Sequence, residues 1–325
     1  MHYGILLIIL LYIGLYVFWW DGGYFESQVQ DGAVALKIKG QTYSINPDGT
    51  PMVWSAEDLI WPAIEPGAAF ISTSIIQTNN QSRGTCGNPL RNCTKNSDCP
   101  KDVLQTGVCS DGFCQAIQWC PAENITVDDK AQGHSVGYEM EDAGSLTIWM
   151  KATMSFPALS RTVNYSTVEQ ADPVTSGPDK NLYSLNDLLN MTGTAQSNIR
   201  ERGAILLVIL RWKCFISSTF CFPKVEAHRL DLPEGAGFNM RTVSYSRDIV
   251  TGTLTRDLYK YMGVRIFFVS RGIGYAVSVS AIVLQLSSAL ALTAIATAVT
   301  DFALQYIMPE RKRYKEYKIL EACIM

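Results

Sequence analysis

Residues 3–20, YGILLIILLYIGLYVFWW, run eighteen positions without a charge. At 1.5 Å per residue a helix of that length covers about 27 Å, one bilayer core. The pattern predicts a transmembrane helix over 1–20. A cleavable signal peptide fits less well, because Trp19, Trp20 and Asp21 stand where cleavage needs small residues; the Trp pair suits an interfacial anchor. Residues 272–300 form a second charge-free run, which continues past Asp301 to Met308. This predicts a second span over 272–308, with length to spare for tilt. Its small and hydroxylated positions, among them Ser287, Ser288, Ala289, Thr293 and Thr297, are what close helix packing or a wet pore requires.

Between the spans the pattern changes to strand. Residues 33–40 alternate as AVALKIKG, 69–78 read AFISTSIIQT, 146–150 read LTIWM, and 204–212 form the bounded apolar run AILLVILRW. Proline punctuates the joins at Pro47, Pro51, Pro62, Pro66, Pro173, Pro178 and Pro233. Helical character is confined to a short stretch at 186–190. The fold class is therefore a membrane protein with two helices flanking a large, mainly β domain at 21–271.

Charge orients that domain. The tail 309–325 contains RKRYKEYK, and short basic flanks stay cytoplasmic. Two spans then return the N-terminus to the cytoplasm and leave 21–271 outside. The external region carries five Asn-x-Ser/Thr acceptors, Asn80, Asn92, Asn124, Asn164 and Asn190. It also holds eight of the nine cysteines, six of them clustered as Cys86, Cys93, Cys99, Cys109, Cys114 and Cys120. No Cys-x-x-Cys or neighbouring His pair completes a zinc site, so the cluster reads as an oxidised staple and no metal is expected. Six cysteines allow fifteen pairings, and spacing does not choose among them. Cys214 and Cys221 read as a local bridge, and Cys323 as a free cytoplasmic thiol. With 27 Lys+Arg against 30 Asp+Glu and 47% hydrophobic residues, the chain is neither a nucleic-acid binder nor disordered.

Two constellations bear on chemistry. Gly133-His134-Ser135-Val136-Gly137 matches the G-x-S-x-G string of serine hydrolases, with His228 as a formal base. The nucleophile elbow needs an apolar strand before the serine and a helix after it; VDDKAQ and YEMEDAG flank it instead, which reads as a loop. The second constellation is cationic. Lys37 and Lys39 are two apart in a strand, so both ammonium groups leave one face about 6.6 Å apart. Asn239-Met240-Arg241 repeats that geometry, and Lys260 and Arg265 follow.

The order of features resembles the P2X purinoceptors, the ATP-gated cation channels, almost end to end. WWDGGY followed by ALKIKG is similar to the family's stretch ending in K-x-K-G, and GTC at Cys86 and WCPAEN at Cys120 resemble the borders of its disulfide-rich head at 86–120. SLTIWMKA resembles its NFTxxIKN segment, LRWKCFISSTFCFP its W-x-C…C-x-P hairpin, GFNMR its N-F-R motif and LYKYMGVRI its K-x-Y-G-I-R-F stretch. Asp301 matches the Asp of the second helix, and Tyr314 with Lys318 the cytoplasmic Y-x-x-x-K signal.

The resemblance implies a homotrimer opened by extracellular ATP bound between subunits, with ATP as a ligand and no cofactor. Lys37, Lys39 and Thr147, with Trp149 against adenine and Lys151 close by, would come from one subunit; Asn239, Arg241 and Lys260 would come from the next. Four positive side chains then meet the roughly four negative charges of a triphosphate. It further implies the pairs Cys86–Cys120, Cys93–Cys109, Cys99–Cys114 and Cys214–Cys221. Leu284, Ser288 and Ala291 would line the pore with Asp301 below them, in a plasma-membrane or vacuolar channel passing Na+, K+ and Ca2+. Extracellular Asp21 and Glu26 stand near its mouth. Departures include Met240 in place of the motif Phe, Gly274-Tyr275-Ala276 before the second span, a shortened polar region at 167–202, one absent cysteine pair, and a start at the helix itself without the family's Thr-x-Lys segment. Two other readings compete: a two-span trimeric cation channel of degenerin or acid-sensing type, which shares the topology but lacks the K-x-K, N-x-R and Lys260 set, and a membrane-anchored serine ectohydrolase.

Overall fold

The computed structural model describes residues 2–324 except 47, 64, 124–134, 158–160, 165–173, 201, 216–220, 232–236, 248, 250–251 and 310. The chain starts in α1 (His2–Leu11) and continues in wider π-helical turns over Tyr12–Trp20. It then forms β1 (Phe25–Lys39), β2 (Gln41–Ile45), β3 (Pro51–Ser55), α2 (Ala56–Leu59) and β4 (Ala68–Asn92). Next come β5 (Gln105–Ser110), β6 (Phe113–Cys120), β7 (Ser135–Glu139), β8 (Thr147–Phe156), β9 (Arg161–Asn164), β10 (Leu182–Ser184) and α3 (Leu185–Met191). The chain closes with β11 (Ala204–Phe215), β12 (Lys224–Arg229), β13 (Asn239–Arg247), β14 (Leu254–Val277), α4 (Val279–Phe302) and α5 (Arg311–Ile324).

Alternation builds the core. On β11, Ala204, Leu206, Val208, Leu210, Trp212 and Cys214 are buried while their neighbours face outward, and the strand lies parallel to β14, where Val264, Ile266 and Phe268 point the same way. The Trp212 indole donates to the Ser270 hydroxyl at 2.8 Å, so its one polar atom is satisfied at full burial. On β8 the buried set is Ile148, Met150, Ala152, Met154 and Phe156. That phase sends Thr147, Trp149 and Lys151 to the other face. The expected strands are all present but longer than their apolar runs, because cross-strand pairing continues into polar sequence such as residues 79–92 of β4.

The spine is β14, which pairs with β1, β4, β11 and β13. From residue 25 to Gly32, β1 pairs with β14; from Ala33 to Lys39 it pairs with β8 instead. Gly32 is the crossing point. A Cβ there would lie 2.5 Å from the Thr153 carbonyl oxygen and 2.8 Å from the Ser270 hydroxyl, so Gly32→Ala forces backbone apart where two sheets share one strand. Overpacking of this kind costs about 1–3 kcal/mol. The expected result is a clear loss of surface-expressed protein, read by surface biotinylation, with Ala33→Ser as an unaffected neighbour.

Four bridges close the external domain: Cys86–Cys120, Cys93–Cys109, Cys99–Cys114 and Cys214–Cys221. Cys86–Cys120 ties β6 to the distal half of β4, Cys93–Cys109 and Cys99–Cys114 fasten the segment that follows β4 to β5 and β6, and together they form the head. Asn80, Asn92 and Asn190 are exposed, Asn164 ends β9, and Asn124 lies outside the described residues.

One boundary differs from the sequence expectation. Residues 272–277 belong to β14, paired with β1 and β11, and the helix begins at Val279 behind Ser278, whose hydroxyl accepts from the Ala281 amide. A run without charges does not distinguish a sheet strand from a lipid-facing helix, so the apparent span began too early. The apolar helical stretch runs over Val279–Ile307. α1 packs against α4, on which Ala296 and Thr300 are buried. Those two positions lie roughly 120–160° around the helix from Leu284, which leaves Leu284, Ser288 and Ala291 on the exposed side.

Candidate functional site

The cationic residues fall into two groups, each built by strand register. In the first, Lys37 lies directly across from Trp149, Lys39 from Thr147 and Ala35 from Lys151. Opposed residues in an antiparallel pair share a face, so three ammonium groups, a hydroxyl and an indole leave one surface. Lys37 and Lys39 are exposed. The Lys151 ammonium sits 4.1 Å from the centre of the Trp149 ring, a cation–π contact. The Thr147 hydroxyl donates to the Lys39 carbonyl at 3.1 Å.

The second group stands on β13 and β14. Arg241 lies across from Lys260, with Asn239 two residues before it on the same strand face. Arg241 donates to the Asn239 side-chain oxygen at 3.3 Å. Its Nε and Nη2 grip the Glu123 carboxylate at 2.9 and 2.6 Å, and this hydrogen-bonded carboxylate raises the guanidinium pKa above its ordinary value. Lys260 is 8% exposed. Burial pulls its pKa below the usual lysine value, with Glu123 pulling the other way and Arg241 adding to the depression. Arg241, Lys260 and Glu123 line a cleft of about 390 Å³ whose further walls include Trp119 and Arg256.

Within one chain the two groups stand on different strand pairs. Measured from the Gly32–Ser270 crossing, Lys37 is about 17 Å and Lys260 about 33 Å further from the membrane helices.

Glu123 is not legible in the sequence, since nothing in the spacing links it to Arg241, 118 positions away. The link comes from the Cys86–Cys120 bridge, which ties the head end of β6 to β4 three residues before the carboxylate. The hydrolase string also looks different in three dimensions. Ser135 is not in a loop but opens β7, paired with β4, and its buried hydroxyl lies 2.8 Å from that of Thr78. Gly133 and His134 lie outside the described residues.

A model of the ATP P2X receptor family matches residues 1–321. The chain belongs to that family. It is thus a subunit of an ATP-gated trimeric cation channel of the membrane and not an enzyme, and the degenerin-type reading is not favoured. Among P2X relatives, mouse P2X purinoceptor 4 is 26% identical over 351 residues, covering 97% of this chain and 88% of that protein. Guinea pig P2X purinoceptor 2 is 28% identical over 353 residues, covering 98% and 70%. Among solved structures, the chicken P2X7 receptor with the competitive antagonist TNP-ATP superposes with a TM-score of 0.78 at 21% identity over 94% of this chain and 99% of that one. A P2X receptor from the Gulf Coast tick with ATP and Zn2+ gives 0.75 at 21% identity over 94% and 100%.

Proposed function

We propose that ATP is held where the first cationic group of one subunit meets the second group of its neighbour, with Lys37, Lys39, Arg241 and Lys260 on the triphosphate, Asn239 and Lys151 beside it, and Thr147 and Trp149 at the base. The observation that carries this reading is the register of the two half-sites: Lys37 and Lys39 on one exposed face, Arg241 directly opposite Lys260 on another. Charge-assisted hydrogen bonds to phosphate are the strong kind, and no P-loop is needed to make them.

Gating follows from where the strands lead. Lys37 stands twelve residues, about 40 Å, along β1 from Phe25, and β14 runs from Lys260 to Val277, beside the N-terminus of α4. Drawing two subunits together around a nucleotide pulls on both strands at their membrane ends. A ligand opens the pore only through a difference in affinity between states; about 5.5 kcal/mol takes a 1:99 equilibrium to 99:1. Leu284, Ser288 and Ala291 line the conduction path. The Ser288 hydroxyl donates to the Leu284 carbonyl at 3.0 Å, so its oxygen lone pairs are left to face passing Na+, K+ and Ca2+. The basic α5 keeps both termini cytoplasmic in the plasma membrane. No cofactor takes part.

Glu123 supplies a test. It occupies the guanidinium that ATP would need, so binding exchanges one carboxylate for phosphate oxygens. Glu123→Gln removes the competitor while keeping a hydrogen-bond acceptor, and the half-maximal ATP concentration for whole-cell current should fall about fivefold, as expected for losing a partly exposed ion pair. An unchanged concentration dependence would remove Arg241 from the site.

A further inference from the structure

The cleft around Arg241 and Lys260 extends past the reach of a triphosphate. The ladder between β13 and β14 sets Arg241 across from Lys260 and Tyr245 across from Arg256, and with a period of two all four share one strand face. Arg256 therefore stands four residues, about 13 Å, beyond Lys260 on the side away from the membrane helices. The cleft of about 390 Å³ reaches it, since Arg256 and Trp119 are among its walls. Trp119 clamps two guanidiniums: the Arg256 guanidinium carbon lies 4.4 Å from the centre of its ring and that of Arg83 5.3 Å. Arg83 is the residue directly opposite Trp119 in the ladder between β4 and β6. Arg256 is fixed further by donating from Nε to the Gln81 side-chain oxygen at 2.8 Å. Neither guanidinium is paired with a carboxylate among the described residues. Asp257, next to Arg256 in sequence, accepts from the Asn80 amide at 2.7 Å instead, and Glu123 is the one acid in the cleft wall against Arg241, Lys260 and Arg256. Two guanidiniums held on one ring without a counter-charge suit an anion, and their planar forks match phosphate oxygens.

We propose that this cleft binds linear inorganic polyphosphate, with one stretch of the chain on Arg241 and Lys260 and its continuation on Arg256 and Arg83. The proposal rests on the placement of the ATP triphosphate at Arg241 and Lys260 and adds a second ligand of the same phosphate chemistry, for which the row of cations is long enough. A sulfated glycan separates its charges by sugar rings, whereas here the cations extend a phosphate-binding pair along the same strand face. All four cations belong to one subunit. A polyphosphate held by them does not engage Lys37 and Lys39 of the neighbour, so it exerts no pull across the interface and acts as a competitive inhibitor of ATP.

The test is displacement of radiolabelled ATP from the purified full-length trimer, with a chelator present to remove divalent cations, by tripolyphosphate, long-chain polyphosphate and heparin, repeated with Arg256→Gln, Arg83→Gln and Lys260→Ala. Long-chain polyphosphate should displace ATP at a concentration of chains about tenfold or more below that of tripolyphosphate, the gain expected from further charge-assisted hydrogen bonds. Arg256→Gln should remove most of that gain and Arg83→Gln part of it. On cells, long-chain polyphosphate should evoke no current and should suppress the ATP response in a way that more ATP overcomes. A long chain no tighter than tripolyphosphate, a gain that survives both Arg256→Gln and Arg83→Gln, heparin displacing ATP as well as the long chain does, or a current evoked by polyphosphate alone overturns the proposal. Arg83 is exposed, so its substitution and the wild-type comparison decide the matter even where Arg256→Gln folds poorly. Lys260→Ala separates the two levels. If it leaves ATP binding intact, the ATP site itself is misplaced; if it weakens ATP while the long chain shows no gain on wild type, only the polyphosphate assignment falls.

Discussion

Lys37→Ala and Lys260→Ala should each raise the half-maximal ATP concentration by about thirtyfold to a hundredfold, because each removes a charge-assisted hydrogen bond to phosphate worth about 2–3 kcal/mol. The two losses have different textures. Lys37 is exposed on its strand, and its removal leaves the fold alone. Lys260 is 8% exposed, and its stem fills part of the cleft shared with Arg241 and Glu123. Lys260→Ala therefore also leaves Glu123 and Arg241 more tightly coupled to each other, which adds to the loss. Lys260→Gln, which keeps the stem, should lose most of the same affinity. Lys213→Ala, an exposed lysine on β11 far along the chain from both groups, is the control and should leave the concentration dependence unchanged. Whole-cell recording with extracellular ATP, normalised to surface protein, reads all four.

The second large effect concerns the segment that delivers β13 to the site. Asp231 accepts two hydrogen bonds from Arg229, at 2.8 and 2.9 Å, one from the Ile205 amide at 3.2 Å and one from the Gly237 amide at 3.1 Å. The side chains are 8% and 2% exposed. Gly237 accepts a left-handed φ of +68°, where an added Cβ would strike the Arg202 carbonyl oxygen at 1.9 Å. One carboxylate thus ties the end of β12 and the start of β11 to the approach of β13, two residues before Asn239. Asp231→Asn leaves Arg229 buried without its counter-charge, a change that costs about 3–5 kcal/mol. Surface expression should fall sharply, and ATP potency with it, because Arg241 loses its anchored approach.

The same carboxylate gives a pH dependence. The Arg229 guanidinium holds the Asp231 pKa down to about 2 from 3.8. A depressed folded-state pKa contributes stability that is fully present above the unfolded value and is lost as pH falls towards the folded one, in this case about 2 kcal/mol between about pH 4 and pH 2. Thermal unfolding of the purified protein should therefore show a steeper fall in midpoint over that range for the wild type than for Asp231→Asn. Parallel curves would mean that the pair is not coupled to folding.

Much of this architecture could be read from the chain because single physical rules govern it. Length without charge marks the helices, short bounded runs such as LTIWM and AILLVILRW mark β8 and β11, and an oxidised cysteine cluster marks the head. Thr147, Trp149 and Lys151 were reached through the resemblance of SLTIWMKA to the family's segment, and the burial of Ile148 and Met150 is what sends the three to one face. Other features were hidden because they depend on contacts between distant segments. The strand exchange at Gly32 and the continuation of β14 through residues 272–277 depend on which strands lie alongside. The grip of Glu123 on Arg241 depends on a head tied down by Cys86–Cys120. Ser135 opens a strand only because β4 passes beside it, which no local pattern around the G-x-S-x-G string records.

Linked trimers measure most directly whether cations of two neighbouring subunits converge on one nucleotide. Three copies are joined in one chain, one carrying Lys37→Ala, one Lys260→Ala and one unchanged, in the two possible cyclic orders. If each site draws on adjacent subunits, one order places both substitutions at a single interface and leaves two intact sites, while the other spoils two interfaces and leaves one. The two orders should then differ clearly in ATP sensitivity and maximal current. Identical responses would mean that Lys37 and Lys260 act within the same subunit, which contradicts a nucleotide site shared between neighbours.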